Sequence, residues 1–218
     1  MSRDLIAFDL DGTLEDSRDD MVAAICRVRR RLGLAERPEE SFRDHVNRGM
    51  AHLYSECFSE SLAEGQLDQI RAAYTEDYGA QIADQTRLYG GMRETLLSLK
   101  QRFSLAVVTN KPERLSAMLL DALGVLDLFD AVIGGDTASQ PKPSAAPLHE
   151  AVRRADISGR VVMVGDSAGD IACARAYGCP VIWCAWGYAS SFGAIEPDQV
   201  ADSPTKVPGL IDIILGLD

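Results

Sequence analysis

Two aspartates, Asp9 and Asp11, close an apolar run in the segment Ile6-Ala7-Phe8-Asp9-Leu10-Asp11-Gly12-Thr13-Leu14. Leu5 to Phe8 read as a short buried strand. Residues two apart in an extended chain share a face, so the two carboxylates point one way and Leu10 the other. Gly12 frees the backbone to leave the strand sharply. Carboxylates this close repel each other unless a cation or a proton lies between them. Fold stability does not ask for such a pair; a metal site or paired acid–base chemistry does.

Three more polar clusters follow: Thr109-Asn110-Lys111-Pro112, Lys142 in the Gln140–Pro143 loop, and Gly165-Asp166-Ser167-Ala168-Gly169-Asp170. Each has a local explanation. Asn110 with Pro112, and Ser167 with Asp170, fit helix caps and early-turn residues. Lys142 fits a solvated loop. Four carboxylates gathered in one crevice (Asp9, Asp11, Asp166, Asp170) are harder to explain locally, because they need a divalent cation for charge balance. All-oxygen donors suit magnesium. Gly165-x-Ser167-x-Gly169 also spells a serine-hydrolase elbow, whose usual chain order is serine, acid, histidine. All three histidines, His45, His52 and His149, precede Ser167, so Ser167 is not read as a nucleophile.

The elements that must position these clusters are legible from periodicity. Apolar runs at Leu5–Asp9, Leu105–Thr109, Ala131–Ile133, Val161–Gly165 and Val181–Cys184 read as strands. Met92–Lys100, Glu113–Leu123, Ala145–Ala155 and Ala168–Tyr177 read as helices between them. The predicted fold class is α/β: a Rossmann-like open parallel sheet with helices on both faces, plus an inserted all-helical domain. In such sheets ligands bind outside the carboxyl ends of the strands. The insertion is marked by three amphipathic stripes with no strand between them: Met21/Val22/Ile25/Val28/Leu32, Met50/Leu53/Tyr54/Cys57/Phe58 and Leu67/Ile70/Tyr74/Tyr78/Ile82. We expect residues 1–14 and 88–218 to form the α/β core and 15–87 the helical domain, with Gly90-Gly91 as the exit hinge.

Composition bounds the partners. The 218-residue chain is 46% hydrophobic and 25% charged, with a net charge of −11 and a pI near 4.7. It lacks the basic footprint of a nucleic-acid partner, so an anionic substrate must be held by local charge. Five cysteines without a C-x-x-C spacing suggest reduced thiols in a cytoplasmic protein. Neither a signal peptide nor a membrane span is expected. Arg27, Arg29, Arg30 and Arg31, just before Gly33, are expected to complement a helix dipole. The Trp186-Gly187-Tyr188 loop is expected to serve packing.

The segments DLDGTLEDS, VVTNKP, PKP and GDSAGD, taken together and in this order, resemble the four motifs of the haloacid dehalogenase superfamily. The helical insertion resembles that family's helical cap, and the resemblance spans essentially the whole chain. Asp11 places it with the phosphatases and mutases, since the dehalogenases lack an acid there. VVTNKP, VIGGD (Val132–Asp136) and the Trp186–Tyr188 loop resemble the phosphoglycolate phosphatase group. Two stretches depart from that group: Ser144-Ala145-Ala146 after Lys142-Pro143, and Val46-Asn47-Arg48-Gly49 in the insertion.

The resemblance implies a magnesium-dependent phosphatase acting on a small phosphate ester, 2-phosphoglycolate foremost. Asp9 would be the nucleophile that forms an aspartyl phosphate, and Asp11 the general acid and base. Thr109, Asn110 (through its backbone N–H) and Lys142 would hold the phosphoryl oxygens. Asp9, the Asp11 carbonyl and Asp166 would contact magnesium, with Asp170 acting through water. A cap would close over the crevice, and His45, Asn47 and Arg48 are its candidates for gripping the leaving group. A phosphosugar mutase or a pyrophosphatase on the same fold, and a non-enzymatic binding protein, are the alternatives. The protein is expected as a monomer or homodimer.

Overall fold

A computed structural model describes residues 3–46, 49–62 and 66–217. The chain divides into two compact units, Met1–Glu15 with Leu88–Asp218, and Asp16–Arg87. In the first unit β1 (Leu5–Phe8) is fully buried, which matches its uninterrupted apolar sequence. Two-residue strands, β2 (Glu15–Asp16) and β3 (Arg87–Leu88), stand where the chain leaves and rejoins this unit. The remaining strands are β4 (Ser104–Val108), β5 (Ala131–Ile133), β6 (Val161–Gly165), β7 (Val181–Cys184) and β8 (Gln199–Ala201). They assemble with β1 in the order β5-β4-β1-β6-β7-β8, with all five pairings parallel. This is the open parallel α/β sheet expected from the sequence. β1 lies between β4 and β6, and Phe8 is in register with Val107 on one side and Val164 on the other.

The second unit is helical: α1 (Arg18–Arg31), α2 (Glu40–Arg43), α3 (Met50–Cys57), α4 (Ser59–Leu62) and α5 (Leu67–Ala80). The stripes are buried along most of their length, with Leu32, Met50 and Leu67 half-exposed at the ends. Tyr54 meets Tyr74 edge-on at 6.0 Å, and Tyr74 stacks on Tyr78 at 5.7 Å. The arginines do more than face a dipole. Arg27 pairs with Asp77 at 2.7 Å and Arg31 with Glu76 at 2.8 Å, tying α1 to α5. Arg29 is buried, donates to the carbonyls of Cys57 and Ala35, and pairs with Glu60 at 2.9 Å. Its hydrogen bonds to the Glu60 carboxylate hold that acid down to about 2. A buried guanidinium needs such partners, because the uncompensated charge would be costly.

Asp20 anchors the returning chain. Its buried carboxylate accepts from the backbone N–H of Gln85 at 2.9 Å and of Thr86 at 2.8 Å, and from the Thr86 hydroxyl at 2.7 Å. Hydrogen bonds to a charged group contribute about 1.5–3 kcal/mol each, and donors left unpaired lose more. We therefore expect Asp20→Ala to destabilise the helical unit by about 3 kcal/mol, read by chemical denaturation. A loss below about 0.5 kcal/mol, the range of ordinary surface changes, would refute the anchor.

The first unit adds α6 (Met92–Lys100), α7 (Glu113–Ala122), α8 (Ala146–Arg154), α9 (Ala168–Tyr177) and α10 (Val207–Leu215). The expected strands and helices all occur, with bounds shifted by at most one residue. β8 and α10 were not foreseen. β8 reads Gln-Val-Ala with Val200 exposed, so it lacks the apolar run that marks β5. α10 opens with Pro208 near its start, where a missing N–H is tolerated, so the Pro208-Gly209 pair is not the break it resembles. Among the described residues no helix is long and apolar enough to cross a membrane.

Candidate active site

Parallel register brings the polar clusters to one edge of the sheet. Asp9 continues the ladder past β1, its N–H donating to the Val164 carbonyl at 2.9 Å. Thr109 does the same past β4, donating to Ile133 at 2.9 Å. Asp166 directly follows β6. Three neighbouring strands thus deliver their next residues to one place, at their carboxyl ends.

Asp9, Asp166 and Asp170 are buried, and each offers a carboxylate oxygen within 4.8 Å of the others. The Lys142 ammonium joins them, 2.8 Å from Asp9 Oδ1 and 2.6 Å from Asp170 Oδ1. Asn110 holds the lysine loop in place: its amide donates to the Lys142 carbonyl at 3.1 Å and accepts from the Lys142 N–H at 3.0 Å. Burial lowers the affinity of Lys142 for its proton, but the Asp170 and Asp9 carboxylates outweigh that and hold it charged. Burial, and then the charge of Asp170, push Asp9 well above the usual carboxylate range. The same causes raise Asp166 to about 6, against the opposing pull of the Tyr188 N–H and Lys142.

Three carboxylates against one ammonium leave two negative charges. Burial first, and the charge of Asp170 second, disfavour the ionised forms of Asp9 and Asp166. Oxygen donors, burial and that imbalance fit a hard divalent cation.

The fourth cluster separates into two roles. Asp170 Oδ2 accepts from the Ser167 N–H at 2.9 Å and hydroxyl at 2.6 Å, while Ser167 Oγ accepts from the Asp170 N–H at 3.3 Å. This capping box opens α9, and Ser167 is a helix cap. With Oδ1 on Lys142 and Oδ2 on Ser167, both oxygens of Asp170 are already engaged. Asp166 is buried beside Asp9 and Asp170. Its Oδ1 accepts from the Thr13 hydroxyl at 3.2 Å and its Oδ2 from the Tyr188 N–H at 2.7 Å.

Asp11 stands apart from this group. Its carboxylate is paired with the ammonium of Lys111, which is buried. The two acids that open the sequence therefore have different cations beside them, Lys142 for Asp9 and Lys111 for Asp11. The Thr109 hydroxyl is buried and accepts from the Lys111 N–H at 3.2 Å, which fixes the turn carrying Lys111. Lys111, Thr13 and the Tyr188 N–H were not among the candidates from sequence. Lys111 sits in a recognised cluster, but nothing local marks its partner a hundred positions away.

In the helical unit His45 Nδ1 lies 3.1 Å from His52 Nε2. Asn47 and Arg48 fall outside the described residues. Burial pushes the thiols of Cys57 and Cys173 up to about 12 and that of Cys179 to about 11.

Comparison with known proteins identifies the family. The family model described as haloacid dehalogenase-like hydrolase matches residues 6–184. The phosphoglycolate phosphatase of Chromobacterium violaceum is 39% identical over 197 residues, 87% of this chain and 89% of the relative. That of Vibrio vulnificus strain YJ016 is 37% identical over 221 residues, 97% and 96% of the two chains. The crystal structure of a predicted phosphoglycolate phosphatase from Haemophilus somnus superposes with a TM-score of 0.83 at 29% identity, covering 95% of this chain and 97% of that one. The chain belongs to the haloacid dehalogenase-like hydrolase family.

Proposed function

We propose that this phosphatase hydrolyses a small phosphate monoester through an aspartyl-phosphate intermediate on Asp9, with 2-phosphoglycolate as the leading substrate. The observation that carries the reading is the buried Asp9–Asp166–Asp170 group with the Lys142 ammonium against Asp9 and Asp170. Relatives described as phosphoglycolate phosphatases support that substrate.

An oxygen of the Asp9 carboxylate attacks phosphorus and the bond from phosphorus to the ester oxygen breaks, while Asp11, which takes up a proton when the anionic phosphate of the substrate sits beside it, gives that proton to the departing alkoxide. Water then attacks the aspartyl phosphate, Asp11 takes up its proton, and phosphate leaves. Lys111 acts through Asp11 by fixing where that carboxylate sits. Lys142 meets the negative charge that spreads over the phosphoryl oxygens, helped by the Thr109 hydroxyl and the Asn110 N–H. Asp170 steadies Lys142 and would act on the metal through water. Asp9, Asp166 and the Asp11 carbonyl would hold magnesium, which when bound offsets the repulsion between the attacking carboxylate and the phosphoryl oxygens.

Two measurements test this. Chelation should abolish release of phosphate from 2-phosphoglycolate, and magnesium should restore it. Magnesium at about a hundred times its dissociation constant should stabilise the site by about 2.7 kcal/mol, raising the melting temperature by roughly 5–10 °C. Full activity after exhaustive chelation would sink the metal reading. A panel including pyrophosphate and hexose phosphates tests the substrate, and a requirement for a sugar bisphosphate would turn the reading to a mutase. His45, Asn47 and Arg48 are proposed, from sequence, to set leaving-group preference. Arg48→Ala should lower the preference for a carboxylate-bearing ester, as loss of a bidentate partner would; an unchanged panel removes Arg48 from the argument.

A further inference from the structure

We infer that the Trp186–Tyr188 loop, with Thr13, is a strap that fixes the carboxylate of Asp166 and so sets the affinity of the acid cluster for its divalent cation. This rests on the reading of Asp166 as a metal-holding acid and goes beyond it by assigning the residues that orient that acid.

Each oxygen of Asp166 receives one hydrogen bond, from the Thr13 hydroxyl on Oδ1 and from the Tyr188 N–H on Oδ2. Rotating the carboxylate breaks one or both. An ionised carboxylate oxygen can accept more than one hydrogen bond, so both oxygens keep capacity for a cation. The Asp166 backbone is held as well: its carbonyl accepts from the Trp183 indole at 2.8 Å.

The strap is in turn tied to the first motif. Trp186 donates its indole N–H to the Thr13 carbonyl at 3.1 Å. One residue, Thr13, therefore receives the loop through its backbone and holds Asp166 through its hydroxyl. Close approach makes this possible. A Cβ on Gly187 would lie 2.2 Å from Asp166 Cβ and 2.5 Å from Oδ2, and one on Gly12 would lie 2.6 Å from Oδ2. Backbone thus presses on Asp166 from both the first loop and the last. Packing alone does not ask a half-buried loop to aim an N–H at a buried carboxylate. Groups that orient a metal ligand typically change metal affinity by about 10–100-fold when removed.

The test is calorimetric titration of magnesium chloride into the full chain and into Thr13→Val, Trp186→Phe, Gly187→Ala and Asp166→Ala. Thr13→Val, which keeps shape and loses only the hydroxyl, should weaken magnesium binding by about 10–100-fold. Gly187→Ala should do the same by displacing the strap, and Trp186→Phe should weaken it to a smaller extent. Asp166→Ala should abolish binding. If Gly187→Ala does not fold, Thr13→Val and Trp186→Phe carry the test. A lower melting temperature of the metal-free protein with a wild-type dissociation constant would mean that the strap is structural only, and overturns the inference. Wild-type magnesium binding by Asp166→Ala would instead overturn the metal reading, and the strap with it.

Discussion

Asp9→Asn should reduce turnover by on the order of 10⁴–10⁶-fold, the range seen when one member of a nucleophilic set is removed, while the protein stays folded. An amide oxygen is a poor nucleophile, and the first covalent step depends on that atom. The fold tolerates the change because the amide oxygen can still accept from the Leu10 N–H, which donates to Asp9 Oδ1 at 2.7 Å. Stability should rise in the absence of metal. Asp9 is raised by burial and by the charge of Asp170, so a neutral side chain removes a repulsion that the free carboxylate bears. Lys142 keeps its bond to Asp170. The measurement is phosphate release beside a thermal melt in chelator. Near-normal turnover would refute the nucleophile, and a large loss of stability would refute the electrostatic account of the cluster.

Lys142→Met should be damaging in both respects. It leaves Asp9 and Asp170 buried, close and without the ammonium they share. Removing one partner of a buried ion pair costs about 3–5 kcal/mol. Losing one group that stabilises transition-state charge typically costs about a hundredfold in rate. The double variant Asp9→Asn with Lys142→Met separates the two effects. With one carboxylate neutral, the remaining imbalance is smaller, so the double variant should recover part of the stability and none of the activity. Strict additivity of the two stability changes would mean that the residues do not interact, contrary to their 2.8 Å contact.

What could be read in advance follows from the range of each interaction. β1, β4, β6 and β7 are apolar runs buried along their whole length, and a run of that kind is a local signal. Asp9 and Asp166 directly follow such runs, and Thr109 follows Val108, so parallel register was enough to bring them together. Ser167 was legible as a cap because its partner is three residues away.

The interactions that escaped are long-range. Arg29 looks like its arginine neighbours, and only the fold of the helical unit turns it inward to the Cys57 carbonyl and Glu60. The pairing of Asp11 with Lys111 joins strand ends that are adjacent in the sheet but distant in the chain. The Trp186–Tyr188 loop reads as packing until the Tyr188 N–H is seen on Asp166.

Both of the chain's tryptophans stand beside that same aspartate, Trp183 on its carbonyl and Trp186 on the neighbouring Thr13 carbonyl. The indole emission of this protein therefore originates at one corner of one unit, with no contribution from the helical unit, which has no tryptophan. The protein carries its own optical probe there: a change in fluorescence on adding a cation reports on the surroundings of Asp166, without any label.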